Sequence, residues 1–191
     1  MQLGYIEDKI FEHINGSSHS LEAAQYELCV FKDCDFSDSD LSNFRFVECL
    51  FENCNLSNAN LFDTSFQDVK FEGCKMLGLQ FERCNYLGFA AEFIKCQLNH
   101  SVFYKMNLNT CAFLNCELHG VDFAEANLQG VVLTGCNFLD AIFDRTNLEG
   151  ADFRNAVHFN IDPEMNKVNG AKFLMSELIG LLQKYKLQID N

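Results

Sequence analysis

Ten cysteines and five histidines in 191 residues could do chemistry, as soft metal ligands, as a redox pair, or as a nucleophile with its base. Their spacing argues against each use. The cysteines fall at Cys29, Cys34, Cys49, Cys54, Cys74, Cys84, Cys96, Cys111, Cys116 and Cys136, and no CxxC pair occurs among them. His13, His19, His100, His119 and His158 are scattered, and His100 and His119 have no cysteine or serine nucleophile evidently poised beside them. There is no glycine-rich phosphate loop, no HExxH and no EF-hand loop. The expectation is a non-catalytic chain with neither metal nor cofactor.

What places the cysteines is a period of five. From Val121 to Asn155 the chain reads VDFAE, ANLQG, VVLTG, CNFLD, AIFDR, TNLEG, ADFRN, with Phe or Leu at the centre of every block. An α-helix needs apolar positions at a period of 3.6 and a half-buried strand needs alternation by two, so neither template fits. A chain that turns a corner every five residues does fit. Four corners close a square coil of about twenty residues, a solenoid repeat length. Centres run from Leu21 through Tyr26, Phe31, Phe36 and Leu41 to Tyr86, skip to Phe93, and continue to Phe153, so two extra residues bulge within Leu87 to Glu92. That bulge reads as a tolerated insertion or as a partner contact or bend.

Residues one coil apart then stack. Phe31, Phe51, Phe71, Phe93, Phe113, Leu133 and Phe153 form one interior column. Every cysteine sits two residues before a centre, an inward slot for a small side chain, and Cys34, Cys54, Cys74, Cys96, Cys116 and Cys136 make a straight column. Such a column cannot surround zinc tetrahedrally, so the thiols read as small core hydrophobes. Asn85, Asn107, Asn127 and Asn147 form an outward amide ladder, with Arg45 and Ser65 completing its column. Nearly seven coils at about 4.8 Å each give a rod of about 33 Å, the length of about ten base pairs of duplex DNA.

This motif resembles that of the pentapeptide-repeat family: a small residue, Asp or Asn, Leu or Phe, then two variable positions. The resemblance implies an all-β, right-handed quadrilateral β-helix with a C-terminal capping or dimerisation α-helix. On that reading residues 1–20 are an N-terminal cap, 21–157 the β-helix, and 158–191 a C-terminal cap and helix. Pro163 is expected to end regular pairing. A helix is expected from Ser176 as N-cap, with Leu178, Ile179, Leu181, Leu182 and Tyr185 supplying apolar surface for a second copy.

Charge adds a direction. Lys and Arg number 14 against 27 Asp and Glu, a formal net charge of −13. Phosphate binding needs the opposite balance, so direct binding to nucleic acid or anionic membrane is not expected. No apolar run suits a signal peptide or a membrane span, and a cytoplasmic protein is the default expectation. Asp40, Asp63, Glu82, Asp122, Glu125 and Asp144 fall on one side, around Leu41, Leu61, Phe81, Phe103, Phe123 and Phe143, as a candidate partner-binding acidic face. The tail FNIDPEMNKVNGAKF and the start SLEAAQYELCVFKDCDF resemble the Qnr-type subgroup. That implies a homodimer through the C-terminal helices, an acidic rod that imitates DNA, and DNA gyrase or topoisomerase IV as the partner protected from inhibitors. The long loops of many Qnr proteins are missing here. The alternative is a non-catalytic interaction scaffold whose unknown partner packs on Val30, Leu50, Leu114 and Val132.

Overall fold

In the computed structural model, which describes residues 4–16 and 21–188, the chain winds as a four-sided parallel β-solenoid. The corner is a backbone event. The second residue after most centres lies in the left-handed region, as at Asp33, Asp38, Asn43, Glu48, Asn53, Asn58 and Asp63, with φ between 51° and 65°. Asn and Asp tolerate that conformation better than other side-chain-bearing residues, and Gly tolerates it best. The period of five in the sequence is therefore a period of corners.

Two sides carry named strands. Gly4–Glu7 (β1), Ala24–Glu27 (β3), Arg45–Val47 (β5) and Ser65–Gln67 (β7) pair in the order β1-β3-β5-β7. Ile10–Glu12 (β2), Val30–Lys32 (β4), Leu50–Glu52 (β6), Val69–Glu72 (β8), Ala91–Ile94 (β9) and Ala112–Leu114 (β10) form the second sheet. Single parallel bridges hold the other two sides, such as Asp35 to Asn55 and Asp40 to Asn60. Inside, the ladder is continuous: Phe31 stacks on Phe51 at 4.6 Å, Phe51 on Phe71 at 5.0 Å, Phe71 on Phe93 at 5.3 Å and Phe93 on Phe113 at 4.9 Å. Edge-on contacts tie neighbouring sides together, as between Phe46 and Phe51 at 5.1 Å.

Both ends differ from the sequence expectation. Residues read as an irregular cap are wound in register: Ile6 pairs with Tyr26, Phe11 stacks on Phe31 at 5.0 Å, and Asn15 bridges Asp35. Nor does the coil stop at residue 157. Asn147 bridges Lys167, Asp152 bridges Lys172, and Phe153 stacks on Phe173 at 5.2 Å. Pro163 falls twenty residues after the centre Phe143. Centre N–H groups donate to the next coil, as Phe123 does to Ile142 at 3.0 Å. Among the described residues no coil follows on that side, so the missing donor of Pro163 breaks no inter-coil bond there.

The terminal helix is there but is wound in 3-10 geometry, over Met175–Leu181 and Gln183–Tyr185, instead of as an α-helix. Leu174 is its N-cap in place of Ser176, and the Glu177 carboxylate accepts the Leu174 N–H at 3.2 Å. Close docking explains the tight winding. Gly180 is buried with its backbone against Phe159, whose ring a Cβ would strike, and its carbonyl accepts Ile161 N–H at 3.0 Å.

The insertion also works differently from the expectation. Tyr86 leaves the interior and is 76% exposed, while Phe89 fills the vacated space against Phe66 at 6.3 Å and Phe81 at 6.2 Å. Register returns where Ala91 pairs with Val69.

Candidate partner-binding face

The thiols and imidazoles come first. All ten cysteines are unpaired and buried, and thiols in the column donate to carbonyls one coil back, Cys54 to Phe31 O, Cys74 to Phe51 O and Cys116 to Phe93 O, each at 3.3 Å. Burial pushes the Cys49 thiol up to about 11 and the Cys111 thiol up to about 12, far from a reactive thiolate. The rings of His100 and His119 lie 5.1 Å apart, and His119 Nε2 is 3.2 Å from Asp140 Oδ2. The nearby Ser101 hydroxyl is buried and donates to Met76 O at 2.9 Å, so it is no nucleophile. Among the described residues no group of three His, Cys, Asp or Glu is placed to hold a metal ion.

Position in the block decides what each carboxylate on the Leu41 side does. The residue before a centre folds back on its own turn. Asp40 Oδ1 accepts Ser42 N–H at 3.1 Å, Asn60 Oδ1 accepts Phe62 N–H at 3.2 Å, and Asp122 Oδ1 accepts Ala124 N–H at 2.8 Å. Asn60 also donates to Asp40 at 2.9 Å. Hydrogen bonds from Ser42 hold the Asp40 carboxyl below the usual carboxylate range. Asp63 occupies a left-handed corner at φ 55° and accepts Asn85 Nδ2 at 2.9 Å. Asp40 and Asp63 are exposed and Asp122 is half-buried.

The other carboxylates predicted for the face are not free. Arg145 reaches Glu125 at 3.0 Å and Asp144 at 2.9 Å, and Lys105 reaches Glu125 at 3.4 Å. Glu82 is withdrawn: one carboxylate oxygen is buried without a partner, and burial raises its pKa. Between them lie residues the sequence reading passed over. Phe62 is 55% exposed with the Arg83 guanidinium over its ring at 5.9 Å, and Tyr104 carries the Lys105 ammonium at 4.8 Å. The signal was available, since an aromatic residue directly after a centre has to point outward. This side is acidic at its borders and aromatic with mixed charge in the middle.

The amide ladder is shorter than expected. Asn147 donates to Asn127 at 2.9 Å and Asn127 to Asn107 at 2.8 Å, whereas Asn85 turns to Asp63 and Ser65 is buried. The alternative apolar patch is split, because Lys70 and Glu92 stand between Leu50 and Ala112 in the strand register. At the C-terminus, Leu178 and Ile179 are 40% and 52% exposed and Tyr185 is exposed, while Leu181 turns in against the core and Leu182 is half-buried. No described helix is long and apolar enough to cross a membrane.

Among curated protein sequences none matches the chain. Two solved structures of trypsin-treated variants of QnrB1, a plasmid-mediated fluoroquinolone resistance protein, are similar over nearly its whole length. One is 19% identical over 99% of both chains with a TM-score of 0.65; the other is 19% identical over 100% of both with a TM-score of 0.64. At this identity the likeness shows the shared solenoid. The profile of the pentapeptide repeat region matches residues 20–90, 44–113 and 88–173. Matched across three overlapping stretches that take in most of its length, the chain belongs to the pentapeptide-repeat family.

Proposed function

We propose that this chain is a non-catalytic, DNA-mimicking protein of the Qnr type that binds DNA gyrase or topoisomerase IV and protects it from inhibitors. One observation carries the reading. At Asp40, Asp63 and Asp122 the fold needs only a short side chain that accepts a hydrogen bond or tolerates a left-handed corner, and Asn60 and Asn43 fill equivalent positions with no charge. Asp in place of Asn at those sites adds charge that the coil does not require. A line of such carboxylates along the rod would steer it toward a cationic groove that normally holds duplex DNA. The register extends the rod beyond the sequence estimate, from Phe11 to Phe173. Eight coil steps of about 4.8 Å give about 38 Å, about eleven base pairs. The exposed Leu178 and Ile179 support a homodimer through the terminal segment, which would double that length. A reducing cytoplasm suits ten unpaired thiols.

The test is supercoiling and quinolone-stabilised cleavage by purified gyrase, titrated with this protein at two salt concentrations. Relief of poisoning or inhibition that fades with salt is expected, with a loss of about tenfold or more in the triple variant Asp40→Asn, Asp63→Asn, Asp122→Asn. Unchanged potency in that variant would sink the reading. Ile179→Asp should convert a sedimenting dimer to monomer.

A further inference from the structure

Asparagine is followed by glycine twice, at Asn15–Gly16 in the first coil and at Asn169–Gly170 in the last. Glycine leaves its backbone nitrogen uncrowded by any Cβ, so that nitrogen can reach the carbonyl carbon of the preceding side chain. A β-branched residue precedes each pair, Ile14 and Val168, so the local sequence does not separate them. The fold does.

In the first coil the Gly16 N–H donates to Asp35 O at 2.8 Å, and Asn15 is held in the bridge to Asp35. That nitrogen is free to react only when the coil opens locally. At the other end the equivalent constraint is missing. Corner N–H groups donate one coil onward, Gly130 to Glu149 O at 2.8 Å and Gly150 to Asn169 O at 2.9 Å, but among the described residues the Gly170 N–H meets no backbone acceptor. Asn169 and Gly170 are both exposed, and the Asn169 side chain is tied only by Nδ2 to Glu149 Oε1 at 3.5 Å among the described residues.

We propose that Asn169 is a site of spontaneous deamidation, a covalent modification that the stacked coils suppress at Asn15 and leave open at the end of the rod. The Gly170 amide nitrogen gives up its proton and attacks Asn169 Cγ. A new N–C bond closes a cyclic succinimide, and the side-chain nitrogen leaves with the released proton as ammonia. Water then opens the ring at either carbonyl to give aspartate or isoaspartate, and nothing is oxidised or reduced. Both products put a carboxylate where the neutral amide contacted Glu149, and the formal net charge passes from −13 to −14. Isoaspartate also lengthens the backbone, and among the described residues no later coil has to shift its register in response.

The experiment incubates the full chain at physiological pH and temperature and follows the peptides holding residues 15 and 169 by mass spectrometry, with isoaspartate labelled by an isoaspartyl methyltransferase. Conversion about tenfold faster at Asn169 than at Asn15 is expected in the folded chain, because only Gly16 needs local opening. The two rates should come together in concentrated urea. Asn169→Gln should abolish the more acidic form that accumulates on isoelectric focusing, whereas Asn15→Gln should leave it. Equal rates at the two sites in the folded chain, or a difference that persists in urea, would overturn the proposal. The test needs no partner, so its outcome is independent of whether the rod binds gyrase.

Discussion

The side built on the phenylalanine ladder and the Leu41 side opposite it share one backbone and one period but use their outward residues differently. On the ladder side the charges answer one another locally: Lys32 with Glu52 at 3.6 Å, Lys70 with Glu72 at 3.1 Å, and Arg154 with Asp152 at 2.6 Å. The Leu41 side leaves Asp40 and Asp63 exposed, turns Phe62 and Tyr104 outward, and strands a carboxylate oxygen of Glu82. The Leu41 side, with exposed carboxylates and outward rings, is therefore the side we propose for the partner.

The largest effect should come from the rings themselves. Phe51, 1% exposed, stacks between Phe31 and Phe71, and Phe51→Ala should cost about 3–5 kcal/mol in urea unfolding. Phe62→Ala should stay within about 0.5 kcal/mol of the parent and change only binding. A Phe62 variant as unstable as the Phe51 variant would mean the outward ring is structural. Corners give the next size of effect. Gly135, at φ 69° beside the Asn115 side chain, turns the ladder side, and Gly135→Ala should cost about 1–2 kcal/mol from the left-handed backbone, with Asn115 displaced besides. Asp63→Gly at the matching kind of corner should leave the melting temperature nearly unchanged and weaken partner binding. If it destabilised the chain as much, the Asp63 carboxylate would belong to the fold.

How far these differences were legible in the sequence follows from what repeats. Centres such as Phe31 and inward cysteines such as Cys74 were readable because every coil imposes the same steric condition on them. Tyr86 was misplaced because an insertion breaks the register locally, and only packing decides whether Tyr86 or Phe89 fills the core. Residues 1–20 read as a cap in the sequence because Ile6, Phe11 and Asn15 take the register of the next coil in blocks too degenerate to show the motif. The acidic face was visible as a list of charges. Which of them Arg145 neutralises, and that Glu82 is sheltered, depends on side-chain reach between coils and carries no period.

The smallest prediction contrasts one carboxylate from each side by the sign of its response to pH. The Arg154 guanidinium beside Asp152 holds its carboxyl below the usual range, so its contribution is present above the ordinary carboxylate pKa of about 3.9 and is lost as pH falls through the lowered value. Glu82 runs the other way. Burial raises its pKa, so the folded state is favoured while the group is protonated, and that support is lost as pH rises through the raised value. Asp152→Asn should therefore lower the melting temperature at pH 7 and converge on the parent in acid. Glu82→Gln should raise it slightly at pH 7 and match the parent below the ordinary Glu pKa of about 4.3. Melting curves of the parent and both variants from acid to neutral pH decide the matter. A fall in stability at pH 7 for Glu82→Gln would mean that its carboxylate is already satisfied within the chain, and the two sides would then differ in charge arrangement but not in what they leave open.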